Sequence, residues 1–174
     1  RAVQRQDEQL PAGLEGRALE LGAAPWIVEG LTEAWGDREA GGFLAASLEP
    51  AARTARRRPG VDADGEPVPG IPEAVVVGGD AEGLVPMDPS SVAVGWAAAP
   101  EAGMTVLDMA AAPGGKTLHL FDQMAGEGLL VAADRHPRRV VSAIRRLERA
   151  GVEVPWVVAD GARAPFAAGT FDRV

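Results

Sequence analysis

The stretch from Val106 to Thr117, reading VLDMAAAPGGKT, leaves this chain few folds to choose from. It begins apolar, reaches an acid at Asp108, passes through small residues to Pro113-Gly114-Gly115, and then enters Leu118-His119-Leu120-Phe121. That order reads as a buried parallel strand, a tight loop and a helix N-terminus. Small residues let a ligand approach the backbone, and the free N–H groups of a first helical turn favour electron-rich ligand atoms. An ordinary strand-to-helix turn satisfies the same pattern, so the loop by itself leaves both readings open.

The residues that follow repeat the alternation. Leu129–Ala133 is a second apolar run, ending on Asp134. His136-Pro137 opens a helix whose Val140, Val141, Ile144, Leu147 and Ala150 keep 3.6-residue spacing, with Arg138, Arg139, Arg145, Arg146 and Arg149 on its other face. A third strand over 154–159 ends on Asp160, and Phe171-Asp172-Arg173-Val174 reads as the entrance to a fourth. Strand and helix in alternation predict right-handed crossovers and a parallel α/β sheet. Ligands in such sheets bind beyond the carboxyl ends of the strands, where Asp108, Asp134 and Asp160 all fall. Asp134 stands 19 positions after Gly115, near the ~20 expected of an acid that holds a nucleotide ribose. A helix-capping role for Asp134 also fits, and Asp160 is placed to accept from an adenine amino group.

The upstream half is less uniform. Leu14, Ala18, Leu19 and Leu21 allow a short helix. Pro25 to Gly36 and Asp37 to Pro50 read as a helical hairpin, with Asp37 capping the second helix and Trp26 and Trp35 as core or hairpin contacts. Arg53, Arg56, Arg57 and Arg58 form a basic run that suits either a solvated face or phosphate contact. Ala74–Val77 is the one convincing strand between 50 and 90. Asp88-Pro89-Ser90 reads as a capped helix start, with Val92, Trp96 and Ala97 facing inward.

Composition narrows the functional classes. The 174 residues make one ordinary domain, or a small one with part of another, and carry a net charge of −8, which argues against a wholly basic nucleic-acid coat. There is no cysteine, so disulfides, zinc–cysteine sites and thiol nucleophiles are excluded within the chain, and no metal site is expected. No apolar run approaches the roughly 20 residues of a membrane span, and a soluble cytoplasmic protein is the expectation. The chain opens on Arg1 and closes on Val174 in a strand-like run; both ends read as cut. Gly115-Lys116-Thr117 matches the end of a phosphate-binding P-loop, but that pattern needs glycine where Ala110 stands, and Pro113 stiffens the loop. Lys116 is the only lysine in the chain.

Leu107 to Thr117 resembles the first motif of the Sun/Nop2 family of RNA cytosine-5 methyltransferases. Asp134-Arg135, Ala159-Asp160 and Phe171-Asp172-Arg173-Val174 recur in the order and spacing of that family, and Val85 to Ser91 resembles its preceding segment. The likeness is strong over 84–174, fair over 25–50 and poor between. It implies a Rossmann-like class I methyltransferase sheet, truncated here and preceded by a small, mainly helical region. The expected division is 1–83 for the N-terminal helical and linker region and 84–174 for the cofactor domain.

The resemblance further implies transfer of a methyl group from S-adenosylmethionine to C5 of a cytosine in RNA, ribosomal RNA being the commonest bacterial substrate. Ala110, Ala111, Ala112, Pro113, Gly114, Gly115 and Lys116 would approach the methionine part of the cofactor. Asp134 would take the ribose and Asp160 the adenine. The family adds a cysteine thiolate to C6 of the base, and a second cysteine assists its elimination. Neither is present, so no catalytic residue is expected here and the chain reads as the cofactor-binding fragment. Ala110 stands where many members have cysteine, though not one of the catalytic pair, and Met87 replaces a usual glutamine. The 50–84 segment is short and acidic where the family often carries an RNA-facing lobe. Two further classes stay open: a non-catalytic RNA- or partner-binding module of the same fold, and a P-loop nucleotide-binding protein.

Overall fold

The computed structural model describes residues 11–79 and 82–174. The chain divides into two compact units, up to Ala51 and from Ala52 onward.

The first unit is helical: α1 (Leu14–Glu20), α2 (Pro25–Trp35) and α3 (Asp37–Ser47). Pro25 takes the first position of α2, where its missing N–H costs nothing, and Gly36 ends that helix at φ 82°. Ala18, Val28 and Leu44 form the small core. Asp37 does not cap α3; it is the first helical residue, and its carboxylate pairs with Arg17 instead. Of the two roles expected for the tryptophans, core or hairpin contact, Trp35 takes the second and neither takes the first. Trp26 is 73% exposed, and Trp35, 52% exposed, makes an edge-on contact with Phe43.

The second unit holds two sheets. The first is antiparallel, with β1 (Thr54–Arg56), β2 (Glu66–Val68), β3 (Ile71–Val76) and β4 (Val85–Pro86) in the order β2-β3-β1-β4. From sequence only the stretch over β3 reads as strand. The other three have two or three residues each and include Arg, Glu and Pro, too short for alternation to register. Ala55, Val75, Val77 and Leu84 close their core. Helix α4 (Pro89–Ala98) follows, with Asp88 accepting from the Ser90 N–H at 2.8 Å as its cap. Val92 and Gly95 are its buried residues; Trp96 is half-buried, and Ala97 faces out rather than in.

The parallel sheet then forms as the sequence predicts: β5 (Thr105–Asp108), α5 (Gly115–Gln123), β6 (Leu129–Asp134), α6 (Pro137–Arg149) and β7 (Trp156–Val158), with strand order β5-β6-β7. β5 pairs with β6 from Thr105↔Leu129 to Asp108↔Ala132, and β6 pairs with β7. Arg173 bridges to Val106 in parallel sense on the far edge of β5. Val106, Leu120, Met124 and Leu130 pack as one layer, while Leu107, Val131 and Ala133 meet Phe166 and Phe171 in another. Val140, Ala143 and Leu147 are the buried stripe of α6, and Val141 is exposed. Register carries the carboxyl ends of β5, β6 and β7 to one edge.

Candidate functional site

That edge is built by the loop between β5 and α5. Ala111 N–H donates to Ala133 O at 2.9 Å, so the loop leaves β5 still tied to the strand beside it. Gly114 turns the chain at φ 93°, and a Cβ there would meet Leu147 Cδ1 at 2.4 Å, so only glycine lets α6 approach this closely. No side chain caps α5, which leaves the N–H groups of its first turn pointing at the edge.

Asp134, at the end of β6, is buried. Its Oδ1 accepts from His136 N–H at 2.9 Å and its Oδ2 from Ala112 N–H at 3.2 Å. Arg139 closes the arrangement by donating to Ala112 O, with another guanidinium nitrogen 3.7 Å from Asp134 Oδ2. Burial pushes the Asp134 carboxyl up, but the His136 N–H, the Arg139 charge and the Ala112 N–H outweigh it and hold its pKa below the usual carboxylate value. Two oxygens offer about four lone-pair sites. His136 Nδ1 also lies 3.3 Å from Oδ1, so the acceptor capacity left over is chiefly on Oδ2.

Asp108 behaves oppositely. Burial raises its pKa, against the Thr117 hydroxyl, which donates to Oδ2 at 2.7 Å. Asp160 accepts from Ala162 N–H through Oδ1 at 3.0 Å and caps the short turn Gly161–Arg163; its Oδ2 has no such partner.

Two cavities flank Ala110. The first, about 250 Å³, is bordered by Ala110, Asp134 and Asp160 together with His136, Arg139 and Ala162. The second, about 210 Å³, lies against Ala110, Ala111, Ala112, Pro113, Gly115 and Lys116, with Met87, Asp88 and Arg146 on its other side. Of the residues assigned to the cofactor from sequence, Gly114 alone borders neither; it faces Leu147. Sequence reading missed Arg139, which sits on the exposed face of a helix and gives no local sign of reaching back to Ala112. Its signal is placement alone, two positions past a helix-opening proline beside Asp134. Among the described residues, no His, Asp and Glu side chains gather into a set of three fit for a metal ion.

Parts of the chain are similar to known proteins. Residues 96–174 match the family model described as 16S rRNA methyltransferase RsmB/F. The tRNA (cytosine(49)-C(5))-methyltransferase of Pyrococcus abyssi is 39% identical over 92 residues, covering 52% of this chain and 30% of that protein. The 28S rRNA (cytosine(4447)-C(5))-methyltransferase of Homo sapiens is 37% identical over 86 residues, covering 49% of this chain and 11% of that one. The fold matches a solved methyltransferase homolog protein from Pyrococcus horikoshii with a TM-score of 0.72 at 24% identity, over 82% of this chain and 55% of the other. The chain thus spans under a third of the length of these curated relatives. Over residues 96–174 the sequence is thus similar to the RsmB/F methyltransferases, and strand order and loop are those of the methyltransferase fold it matches.

Proposed function

We propose that this chain is the cofactor-binding part of an S-adenosylmethionine-dependent RNA cytosine-5 methyltransferase whose substrate is ribosomal RNA in the cytoplasm. The observation that carries the reading is the pair of cavities meeting at Ala110, one edged by carboxylates and the other by a loop of small residues. An adenosine needs acceptors for its hydroxyl and amino groups, and a methionine tail needs N–H donors and close backbone approach. Residues 84–174 supply both; residues 1–83 are assigned as the N-terminal region. The activities of the relatives, on rRNA and tRNA cytosines, support the substrate class.

The group fits the residues present. Asp134, held ionised by two backbone N–H donors, keeps lone pairs for ribose hydroxyls and would repel a 2′-phosphate. Asp160 Oδ2 is available to an adenine amino group. Ala110 to Pro113, Gly115 and Lys116 line the cavity assigned to the methionine part, where a side chain larger than methyl at 110–112 would take up room. Bound there, the cofactor supplies an electrophilic methyl group. The thiolate that activates cytosine C5 is not among these 174 residues, so the chain by itself is expected to bind cofactor and to transfer no methyl group.

Calorimetric titration with S-adenosylhomocysteine tests this. Asp134→Asn removes a charged acceptor, which weakens binding about 10- to 100-fold, the range for hydrogen bonds to charged groups. Magnesium-dependent ATP binding with no response to S-adenosylhomocysteine would replace this reading with a P-loop protein.

A further inference from the structure

A third hollow opens on the flank of this unit and is used by nothing described so far. It measures about 540 Å³ and lies between the segment Gly83–Pro86 and the last turns of α6, with Leu118 at its floor. Three arginines line it: Arg58, Arg146 and Arg149. Arg58 is fixed in place. It donates to the two Asp122 oxygens from Nε and Nη2, and to Ala150 O from Nη1 at 2.9 Å. A guanidinium has five N–H donors, so two remain for a visitor. Arg146 donates to Pro86 O at 3.3 Å, and among the described residues neither Arg146 nor Arg149 pairs with a carboxylate.

Several acids nearby are engaged elsewhere, while Glu82 lies exposed beside Gly83. Asp122 is already bound by Arg56 and Arg58. Glu148 and Glu153 line a separate hollow with Ile144 and Trp156. Asp88 accepts from Ser90 through both N–H and hydroxyl. In a chain of net charge −8, three arginines from two separate segments share this one hollow. Last-turn arginines also complement the dipole of α6, which accounts for their sign but not for the cavity they share with Arg58 on a different element. Pro86 and Arg146 border both this hollow and the cavity beside Lys116, so the basic cleft runs on to the cofactor loop.

We infer that this cleft holds the phosphodiester backbone of the RNA substrate and leads it to the cofactor cavity. The inference rests on the RNA methyltransferase reading above. Planar guanidinium forks suit phosphate oxygens, and a preset Arg58 lowers the ordering cost of contact. The contact is blind to base sequence and supplies affinity and register rather than choice of cytosine.

The test is fluorescence anisotropy of a labelled single-stranded RNA with the 174-residue chain, repeated across salt concentrations. The pair R146Q/R149Q is set against R138Q/R145Q, which removes equal charge from α6 outside the cleft. Two lost phosphate contacts lower the slope of log K against log salt by about 1.4, since each single-stranded contact contributes about 0.7, and that equals about 25-fold weaker binding at ~0.1 M salt. The single variant R149Q separates the two readings, because Arg149 does not border the cofactor cavities. It weakens RNA binding while S-adenosylhomocysteine binding stays within twofold. Equal losses in the two double variants, or no RNA binding by the unaltered chain at low salt, overturn the inference. RNA binding that follows the cleft arginines in a chain that ignores S-adenosylhomocysteine would sustain the cleft and remove the methyltransferase reading instead.

Discussion

The two sheets of the second unit use charge in opposite ways. The antiparallel sheet buries it. Arg56 on β1 is fully enclosed, with Nη2 2.6 Å from Asp122 Oδ2 of α5 and Nη1 3.4 Å from Glu73 Oε2 of β3. Trp96 Nε1 donates to the same Glu73, and His119 of α5 lies against it, also fully buried. The parallel sheet instead gathers its carboxylates at an edge that opens into cavities. In the first region the buried charges are consumed by other elements of the fold; in the second, acceptor capacity is left over. That surplus distinguishes a binding edge from a structural joint, and residue type alone does not reveal it.

The largest effect should come from breaking the joint. Asp122→Ala leaves Arg56 without its closest counter-charge in a buried position, which costs about 3–5 kcal/mol in urea unfolding. Adding Arg56→Met to that variant removes the stranded charge and returns part of the loss. Asp160→Asn, at the open edge, shifts stability by less than about 0.5 kcal/mol. Similar losses in Asp122→Ala and Asp160→Asn would erase the contrast between the two sheets. Next in size is Gly95→Ala on α4. An added Cβ would sit 2.2 Å from His119 Nδ1, between two packed helices, so about 1–3 kcal/mol is expected from overpacking.

The parallel sheet was legible because each strand is a continuous apolar run closed by an acid and followed by a helix with 3.6-residue spacing. Asp108, Asp134 and Asp160 could be placed at one edge from that order alone. The capped start at Asp88-Pro89 was legible too, since a cap and an N1 proline act within three residues. The small sheet was not. The basic run from Arg53 to Arg58 reads as a solvated or phosphate-binding face, yet Arg56 is enclosed, and its partner Asp122 lies 66 positions away. Nothing in the neighbourhood of Arg56 announces that partner. The same limit hid the link from Arg139 to Ala112, 27 positions apart. Local pattern carries elements and their order; whether a charge ends up spent or available is decided by what packs against it.

The smallest effect isolates one member of the joint. Burial lowers the pKa of His119, the Arg56 charge lowers it further, and the charges of Glu73 and Asp122 pull it only partly back. Its Nε2 lies 3.0 Å from Glu73 Oε2, and that contact also raises its pKa without cancelling the effect of burial. The native state therefore takes up the proton at lower pH than the unfolded chain, whose histidine titrates near 6.5. Stability from this group is fully present above about pH 6.5 and is lost as pH falls toward the native pKa, with a slope of at most about 1.4 kcal/mol per pH unit for one proton. Most carboxylates titrate lower, and urea midpoints followed from pH 7.5 down to 5.5 isolate this ring when compared with those of His119→Gln. His119→Gln should flatten that slope whatever it does to the absolute stability. An unchanged slope would mean that the buried joint is indifferent to protonation, and that its charges balance without help from the ring.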